Sequence, residues 1–404
     1  MHRLAGTPVT ERRRRRWRWP VVVLALLLVL AGVFYLGGGW YFSGRLYQQG
    51  LSGAAKRAAR PTYDLSVAAV TSGTVTLGVP SDPGQLLTPG VWGLQWPTGY
   101  GQVTTILARG HRTVTRAFRH LTGSPLAAGA RVALDNKAFP SNPRVGLGIG
   151  FRDVAYPGPL GSYPAWLVPG STDTWAILVH GNALDRLDTI KVVPVLHRLG
   201  LPVLMIAHRN DAGVAPDPSG MLRYGLTEWQ DLAAAAQYAL AHGARRLLLV
   251  GYSMGGAIVV SFLARSPLAA RVAGVVLDAP MLDFSRSVDL GASRQTLPLV
   301  GLPLPRSLTA VAKGIAGWRY GVEWGSLDYL DGAAKLRAPI LLFHGTADTR
   351  VPVATSDQLA RVAGDVTYVR VRDADHLDSW NLDPAGYDRA VQAFVDRVLG
   401  SAAA

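Results

Sequence analysis

The sequence predicts an α/β fold, a mostly parallel sheet with helices on both faces, preceded by one transmembrane helix and a small β-rich region. Three observations support this prediction. After about residue 150, continuous apolar segments of strand length alternate with helical segments. Near the N-terminus, one apolar run is long enough to cross a bilayer. Between the two, short segments rich in Val, Thr and Ile are separated by Pro and Gly clusters.

The composition excludes several function classes. The chain has 404 residues, about half of them apolar, and no cysteine, which excludes disulfides, thiolate metal sites and cysteine catalysis. Its net charge is +14, and seven arginines against one glutamate place about +6 of that charge in the first 20 residues. This basic run adjoins an apolar stretch and no nucleic-acid motif follows it, so we expect no nucleic-acid partner.

The first predicted element is a transmembrane helix at 21–42, after a basic tail at 1–20. About 22 residues in a helix span the hydrocarbon core, and residues suited to the membrane interface flank the run: Trp17, Trp19, Trp40 and Tyr41. The preceding arginines predict a cytoplasmic N-terminus and an extracytoplasmic remainder. A cleaved signal peptide is the alternative, although Gly37–Trp40 is a poor cleavage site, and a twin-arginine signal is weaker because its surrounding motif is missing.

The rest of the chain divides into a linker at 43–61, a β-rich membrane-proximal region at 62–149 and an α/β domain at 150–404. No chemistry is indicated for the β-rich region. A helix is predicted over Leu226–His242, where Thr227 and Gln230 match a capping box. The strands predicted for the α/β domain are Trp175–Val179, Pro202–Ala207, Arg246–Val250, Val275–Asp278, Ile340–Phe343 and Val366–Val371.

The most informative motif is Gly-Tyr-Ser-Met-Gly at Gly251–Gly255. It follows an apolar strand and opens a helix, the context in which such a serine exposes its hydroxyl at a sheet edge. Glycines on both sides allow the strand and the helix to approach closely, and the helix N-terminus favours an oxyanion. We therefore predict Ser253 as a catalytic nucleophile.

A serine nucleophile needs a base and an orienting carboxylate, in the chain order Ser, Asp, His for this motif. Asp348 follows the strand Ile340–Phe343, and His376 follows the strand Val366–Val371, so both side chains are expected at the edge that carries Ser253. Asp278 is the runner-up acid, whereas Asp375 is too close to His376 along the chain to be preferred. We expect structural roles for His180 and His344.

Acyl transfer also requires two fixed N–H donors for the developing oxyanion. One is expected from the backbone of Met254, directly after the nucleophile. The other is expected from the backbone of Asn182, in the loop His180-Gly181-Asn182-Ala183 that follows the first strand of the parallel sheet.

Together these motifs, with His344-Gly345-Thr346-Ala347-Asp348, Val351-Pro352 and Asp375-His376, resemble the α/β-hydrolase superfamily. The likeness covers about Phe151 to Leu399 and is nearest to BEM46-like and prolyl-oligopeptidase-related serine hydrolases, which include membrane-anchored members. It implies hydrolysis of an ester, thioester or amide through an acyl-enzyme, with no metal or organic cofactor. His208–Asp211 departs from the loop common in the family, which affects the expected pocket shape.

The apolar and aromatic stretch at 281–336 lies where this fold accepts lids, with a plain connection as the alternative. We expect a carboxylesterase-like or lipase-like enzyme that takes a small-molecule or lipid-like acyl substrate. A serine peptidase or an acyltransferase acting on cell-envelope material would use the same triad. A non-catalytic envelope protein on a hydrolase scaffold is the alternative from another class. The sequence leaves open the acyl group, the leaving group and the oligomeric state.

Overall fold

The computed structural model describes residues 10–54, 61–81, 83–182, 185–298 and 300–400, with side chains from Trp19 onward. Part of the predicted basic tail, residues 55–60 of the predicted linker, and Ala183 lie outside the described residues. The chain divides into two compact units: the N-terminal helix up to Gln49 with Ala292–Glu323, and Gly50–Gly291 with the chain from Trp324 onward.

The first unit is built on one long helix. It comprises α1 (Thr10–Gly32), a π-helical stretch (Val33–Gly37), α2 (Gly38–Leu46) and a second π-helical stretch (Tyr47–Leu51). The helix Trp19–Leu51 is long enough for a membrane span, and its most apolar 18-residue stretch has a mean hydropathy of 2.7. Residues 43–51, the first part of the linker predicted at 43–61, are helical.

The helix extends beyond the apolar run because the second part of the same unit packs against it. In that part, α8 (Arg306–Tyr320) lies along α2, and the ring of Tyr47 stacks on that of Tyr320 at 4.5 Å between centroids. Most helical stability in proteins comes from such packing of one face, which local composition does not reveal.

The second unit begins with a six-stranded antiparallel barrel, which confirms the predicted β-rich region. Along the barrel the strands follow the order β1-β2-β5-β4-β3-β6. Aromatic and branched side chains fill its interior, among them Trp92, Leu94 and Val103. The strands are β1 Leu65–Val70, β2 Thr74–Gly78, β3 Trp92–Trp96, β4 Gly99–Arg109, β5 Thr113–Gly123 and β6 Arg131–Asp135.

An eight-stranded sheet follows, in the order β14-β13-β12-β11-β9-β10-β8-β7. The six strands β9 to β14 run parallel, and β7 and β8 add an antiparallel edge. Every residue of β9, β10 and β13 is buried, as expected of parallel strands covered on both faces. The strands are β7 Arg152–Gly158, β8 Gly161–Val168, β9 Thr174–Val179, β10 Val203–Ile206, β11 Arg246–Tyr252, β12 Val272–Asp278, β13 Ile340–Gly345 and β14 Val366–Val371.

Helices connect these strands. The described α-helices are α3 Pro143–Leu147, α4 Val193–Arg198, α5 Trp229–Ala241, α6 Met254–Arg265, α7 Phe284–Ser293, α8, α9 Val353–Val362, α10 Ser379–Leu382 and α11 Pro384–Gly400. Short 3-10 helices lie at Gly84–Leu87, Arg186–Val192, Pro267–Arg271, Trp324–Leu327 and Ala333–Lys335.

The capping box predicted for α5 is wrong. The helix begins at Trp229, and the residue before it, Glu228, makes no side-chain cap bond. Its buried carboxylate accepts instead from the backbone N–H groups of Arg223 and Gly225, and the Thr227 hydroxyl donates to Asp217. The Thr227 side chain, which the local pattern assigns to the helix cap, thus makes a tertiary hydrogen bond instead.

Candidate active site

The turn between β11 and α6 holds Ser253 in a strained conformation. Its φ of 52° and ψ of −118° lie in a region that residues with a side chain rarely adopt. Three backbone hydrogen bonds hold the turn. The Ser253 N–H donates to the backbone carbonyl of Asp278 at 3.0 Å, and the Ser253 carbonyl accepts from the N–H groups of Gly256 and Met281 at 2.9 Å each. The side chain is 5% exposed, at the edge of the sheet where the parallel strands end.

Glycines make this turn possible because neighbouring backbone occupies the space of a side chain. A Cβ on Gly255 would lie 2.1 Å from the carbonyl oxygen of Val179, and one on Gly251 would lie 2.7 Å from the carbonyl oxygen of Gly255. Real Cβ atoms do not approach this closely, so the crossing of β11, β9 and α6 requires glycine at both positions.

The structure brings Ser253, His376 and Asp348 into one hydrogen-bonded chain. The Ser253 Oγ lies 2.9 Å from the Nε2 of His376, and the Nδ1 of His376 lies 2.8 Å from the Oδ2 of Asp348. With its proton on Nδ1, the ring donates to Asp348 and leaves Nε2 to accept from the serine hydroxyl. Asp348 and His376 come from the loops after β13 and β14, two neighbouring strands of the sheet.

The carboxylate of Asp348 is fully enclosed by donors. Its Oδ1 accepts from the backbone N–H groups of Arg350 and Val351 at 2.8 Å each, and the Nε2 of His344 lies 3.2 Å from Oδ2. Burial raises the pKa of Asp348, but the hydrogen bonds from His344 and His376 outweigh it and hold that pKa well below its ordinary value. The group is therefore an anion at neutral pH.

The runner-up acid, Asp278, does not contact His376 in this way. Its carboxylate accepts from the Ser379 hydroxyl at 3.0 Å, and burial raises its pKa, against which the charge of Lys191 acts. Asp375 has a different task, since its Oδ1 accepts from the backbone N–H groups of Thr349 and His376 at 2.7 Å each. It thus ties the acid loop to the base loop.

The two expected oxyanion donors lie on the predicted elements. Met254 is buried and is the first residue of α6, whose N-terminus follows the nucleophile directly. Asn182 is half-buried after β9, and its side-chain amide donates to the hydroxyl of Tyr224 at 2.9 Å, which itself donates to the Gly50 carbonyl. That side chain anchors the loop, and the oxyanion role of its backbone N–H stays a prediction.

Beneath this loop lies a buried group of His180, His208 and Asp211, whose ligand-type atoms all lie within 4.8 Å of one another. The Nε2 of His180 is 2.8 Å from the Oδ2 of Asp211, which also accepts from the His208 backbone N–H at 2.8 Å. The two rings stack at 4.3 Å between centroids. These contacts join the loop after β9 to the loop after β10.

The loop at His208–Asp211, where the sequence departs from the family pattern, is anchored through Arg209. Its guanidinium donates to both carboxylate oxygens of Asp231 on α5, at 2.8 and 2.7 Å, and to Asp217 at 3.1 Å. Burial lowers the pKa of Arg209, but the bonds to Asp231 outweigh it and raise that pKa. The departure from the family pattern is thus part of a buried ion-pair network.

Sequence reasoning missed the polar contacts that hold the loop after His376. The side-chain amide of Asn136, just past the last barrel strand, donates to the carbonyl of His376 at 3.3 Å and to the carboxylate of Asp378 at 3.1 Å. The amide of Gln85 donates to Asp378 at 2.8 Å. The ammonium group of Lys191 donates to the carbonyls of Asn136 and Leu377, at 3.1 and 2.9 Å. The clue in the sequence is weak: three consecutive polar residues, 135–137, follow an apolar strand.

Comparisons with known proteins agree with this architecture. Residues 226–319, which include the nucleophile turn, match the family model described as serine aminopeptidase, S33. Residues 66–135, which form the barrel, match a domain of unknown function (DUF8805). The chain is 28% identical to an uncharacterised protein of Mycobacterium tuberculosis over 247 residues, which cover 58% of this chain and 76% of that protein.

Two further relatives are more distant. The chain is 26% identical over 201 residues to acylamino-acid-releasing enzyme 2 of Oryza sativa subsp. japonica, which covers 46% of this chain and 24% of that enzyme. An esterase of Pyrococcus furiosus, solved in several crystal forms, is 19% identical, with TM-scores of 0.50 and 0.51 over 64% of this chain. It covers 96% and 95% of those esterase chains, and at that identity the likeness concerns the fold alone.

The sheet order and the match across the nucleophile turn agree with the resemblance predicted from the motifs. The narrower resemblance to BEM46-like and prolyl-oligopeptidase-related members stays a prediction. The chain is therefore a hydrolase with the α/β-hydrolase fold.

Proposed function

We propose that this protein is a membrane-anchored serine hydrolase that cleaves a carboxylic ester, with Ser253 as nucleophile, His376 as base and Asp348 as the orienting acid. The observation that carries the proposal is the unbroken hydrogen-bonded chain from the serine hydroxyl through the imidazole to a buried carboxylate. Nucleophile, base and orienter in direct contact are the signature of an activated serine.

The geometry supports a two-step reaction. The Oγ of Ser253 attacks the ester carbonyl carbon while its proton moves to the Nε2 of His376. As the tetrahedral intermediate collapses, the bond to the alcohol oxygen breaks, and His376 returns the proton to that oxygen. Water then attacks the acyl-enzyme, gives its proton to His376, and the carboxylic acid leaves as the proton returns to Ser253.

Throughout, Asp348 keeps the imidazole in one tautomer and stabilises the imidazolium that forms in each step. The negative charge on the carbonyl oxygen needs fixed donors, for which we propose the backbone N–H groups of Met254 and Asn182. The N-terminus of α6 adds a favourable dipole at that position. Burial of the acid strengthens its interaction with the charged ring.

A peptidase reaction is the second candidate, because the family model that covers the nucleophile turn is described as a serine aminopeptidase. The same proton transfers would serve an amide, with the amine as leaving group, and an acyltransferase would replace water by another acceptor. We prefer the ester because it requires no recognition of a charged peptide terminus. A panel of p-nitrophenyl esters of increasing chain length, run beside an aminopeptidase substrate panel, separates the two.

The nucleophile is tested with a fluorophosphonate probe, which should label the wild type and not Ser253→Ala. Ester turnover should fall by roughly four to six orders of magnitude, since loss of a triad serine leaves only oxyanion and binding effects. The matched control is Ser261→Ala, the same substitution within the helix that follows the nucleophile, and this variant should keep its labelling. Equal labelling of the wild type and Ser253→Ala would overturn the assignment by placing the reactive group elsewhere, and no labelling of the wild type would favour the non-catalytic alternative.

We further propose that the N-terminal helix is an uncleaved span with a cytoplasmic N-terminus and an extracytoplasmic catalytic domain. The proposal is supported by its length, its hydropathy and the arginines before it. Protease added to spheroplasts should digest the domain that contains Ser253. Protection until the membrane is breached would reverse the orientation, and a soluble protein that begins after about Gly39 would identify a signal peptide.

A further inference from the structure

We propose that residues 294–298 and 300–306 form the two arms of a hairpin that inserts into the membrane interface beside the N-terminal helix, so that the lipid bilayer is the partner of this surface. The inference rests on the proposed membrane anchor. Between Arg294 and Arg306 the chain carries no charged residue, and Leu297–Pro305 consists of leucine, proline, valine and glycine alone. This composition suits a hydrocarbon environment and is costly in water.

The backbone of this hairpin satisfies much of its own hydrogen bonding, as insertion requires. The N–H of Leu297 donates to Leu302 at 2.7 Å, that of Gly301 to Leu297 at 3.0 Å, and that of Leu304 to Gln295 at 3.0 Å. Three of the nine residues from 297 to 305 are prolines, which have no N–H to satisfy. Unpaired backbone groups are the main obstacle to non-helical chain in lipid. The prolines and the bonds within the hairpin reduce the number of N–H groups that need a partner.

Two apolar side chains near the tip of the hairpin face outward, whereas Leu304 at its base is buried. Val300 and Leu302 are each 61% exposed, and Trp318 on the following helix is 78% exposed. Single exposed apolar residues are ordinary on soluble proteins. These lie instead in the same compact unit as the candidate span, whose own apolar side chains are also open to the surroundings.

Contacts within this unit fix the level of the hairpin along the span. The hydroxyl groups of Tyr35 and Ser307 lie 3.0 Å apart at the start of α8, and Arg319 near its end donates to the carbonyl of Trp40 at 3.2 Å. The helix α8 therefore runs in the same direction as the N-terminal helix. The hairpin joins α8 at the end that lies beside Tyr35.

An aromatic and basic belt marks the membrane interface one turn and more above that level. The guanidinium of Arg319 lies over the ring of Trp40 at 3.6 Å, and Tyr47 stacks on Tyr320. Tryptophan, tyrosine and arginine concentrate where hydrocarbon meets headgroups. Tyr35 precedes Trp40 by five residues, about 7 Å along a helix, so the hairpin begins on the hydrocarbon side of the belt.

The two arginines at the base of the hairpin agree with this depth. Long side chains of Arg294 and Arg306 can extend toward the headgroups while their methylene groups stay in the apolar layer. The resulting arrangement is a short interfacial insertion beside a span, and it adds apolar area to the anchor without a second crossing.

The chain contains no cysteine, so a single introduced cysteine carries a unique label. We would place an environment-sensitive nitrobenzoxadiazole fluorophore at Val300→Cys in the full chain, reconstituted in phospholipid vesicles with nitroxide groups on the upper acyl chain. The control is Leu107→Cys, an apolar position on the barrel with a similar exposure of 55%. A second label at Val29→Cys, in the middle of the candidate span, reports the anchor itself.

We expect the Val300 label to emit at shorter wavelength than the Leu107 label, to be quenched by the nitroxide lipids and to resist aqueous iodide. If the Val29 label behaves as lipid-embedded while the Val300 label matches Leu107, the hairpin inference fails and the anchor stands. If the Val29 and Val300 labels are both exposed to water, the proposed membrane anchor is wrong, and the hairpin inference, which rests on it, is wrong as well. A Val300 label shielded from iodide but not quenched by lipid would indicate a protein partner and overturn the bilayer assignment.

Discussion

The turn that holds Ser253 and the loop that holds His376 reach the same precision by opposite means. The nucleophile turn is set by its own backbone: a strained serine, two glycines and the helix that follows within a few residues. The base loop is set by side chains from far along the chain. Asn136 lies 240 residues from His376, and Gln85 lies 293 residues from Asp378.

The nucleophile turn is therefore a local structure, whereas the base loop is assembled from distant parts of the chain. The nucleophile turn should fail when a single Cβ atom is added to one of its glycines, because the close backbone crossing has no freedom to relax. The base loop can lose one side-chain contact at a time, and we expect each loss to shift the ring of His376 without removing it from the site. The barrel, whose sequence indicates no chemistry, thus contributes two of the side chains that fix the base loop.

The largest expected effect breaks the nucleophile turn. Gly255→Ala places a Cβ 2.1 Å from the Val179 carbonyl, so β9 and α6 must separate. We expect a loss of about 1–3 kcal/mol in the free energy of unfolding and near-complete loss of fluorophosphonate labelling. Thermal unfolding and labelling rate measure the two effects.

The control is Gly314→Ala in the interior of α8, where a Cβ meets no atom within 4 Å. This variant should be as stable as the wild type or more stable by about 0.5–1 kcal/mol, since alanine favours helix. If Gly255→Ala labels as fast as Gly314→Ala, the close crossing is not needed for the nucleophile.

The contrast also explains how much of the molecule the sequence predicts. Gly251–Gly255, the strand before it and the helix after it are one contiguous pattern, so both the fold and Ser253 follow from it. The residues after β13 and β14 are found by chain order. Asn136, Gln85 and Lys191 cannot be found in this way, because no periodicity or spacing links them to contacts nearly two hundred or more positions away. The failed capping box at Thr227 has the same cause, a tertiary partner that replaced a local one.

The second prediction concerns Lys191, the most buried of the side chains that support the base loop. Lys191 donates to two backbone carbonyls and to the Asn381 side chain, and burial lowers its pKa although nearby carboxylates such as Asp278 oppose this. Lys191→Met should leave the Leu377 carbonyl and the Asn381 side-chain oxygen without this donor, at about 1–3 kcal/mol for each, whereas the Asn136 carbonyl still accepts from the Asn381 amide. Because Leu377 directly follows His376, kcat should fall more than KM changes.

The matched control is Lys335→Met at an exposed position, which should leave both constants as in the wild type. Stopped-flow labelling of folded protein separates a misplaced base from simple unfolding. A Lys191→Met enzyme with wild-type kcat would remove Lys191 from the positioning of His376.

The third prediction concerns pH. Burial raises the pKa of Asp378 to about 6, against the charge of Lys191 and the hydrogen bond from Asn136. A carboxyl group whose pKa is higher in the folded state contributes stability at low pH, and that contribution is lost as the pH rises through the folded value. Asp378→Asn should therefore gain stability relative to the wild type between about pH 4 and pH 7, on the order of 2 kcal/mol.

Thermal unfolding in detergent at several pH values tests this, with Asp373→Asn, an exposed aspartate in the same loop, as control. A stability difference between Asp378→Asn and the wild type that does not change with pH would contradict the burial of an ionisable group at this site.

The smallest expected effect removes one bond that comes from the barrel. Gln85 donates to Asp378 at 2.8 Å, and this bond lowers the pKa of that carboxyl group while Asn136 still donates to its other oxygen. Gln85→Ala should therefore raise the pKa of Asp378 further and cost about 1 kcal/mol at neutral pH, with less cost at pH 5, where the carboxyl group is mostly protonated. Since the loop keeps its other contacts, kcat should fall only a few-fold, by about the amount one modest bond supplies. Gln95→Ala, on a neighbouring barrel strand, should change neither the stability nor its pH dependence. A Gln85→Ala variant that loses the same stability at every pH would mean that Gln85 supports the barrel alone, and that the base loop is assembled without it.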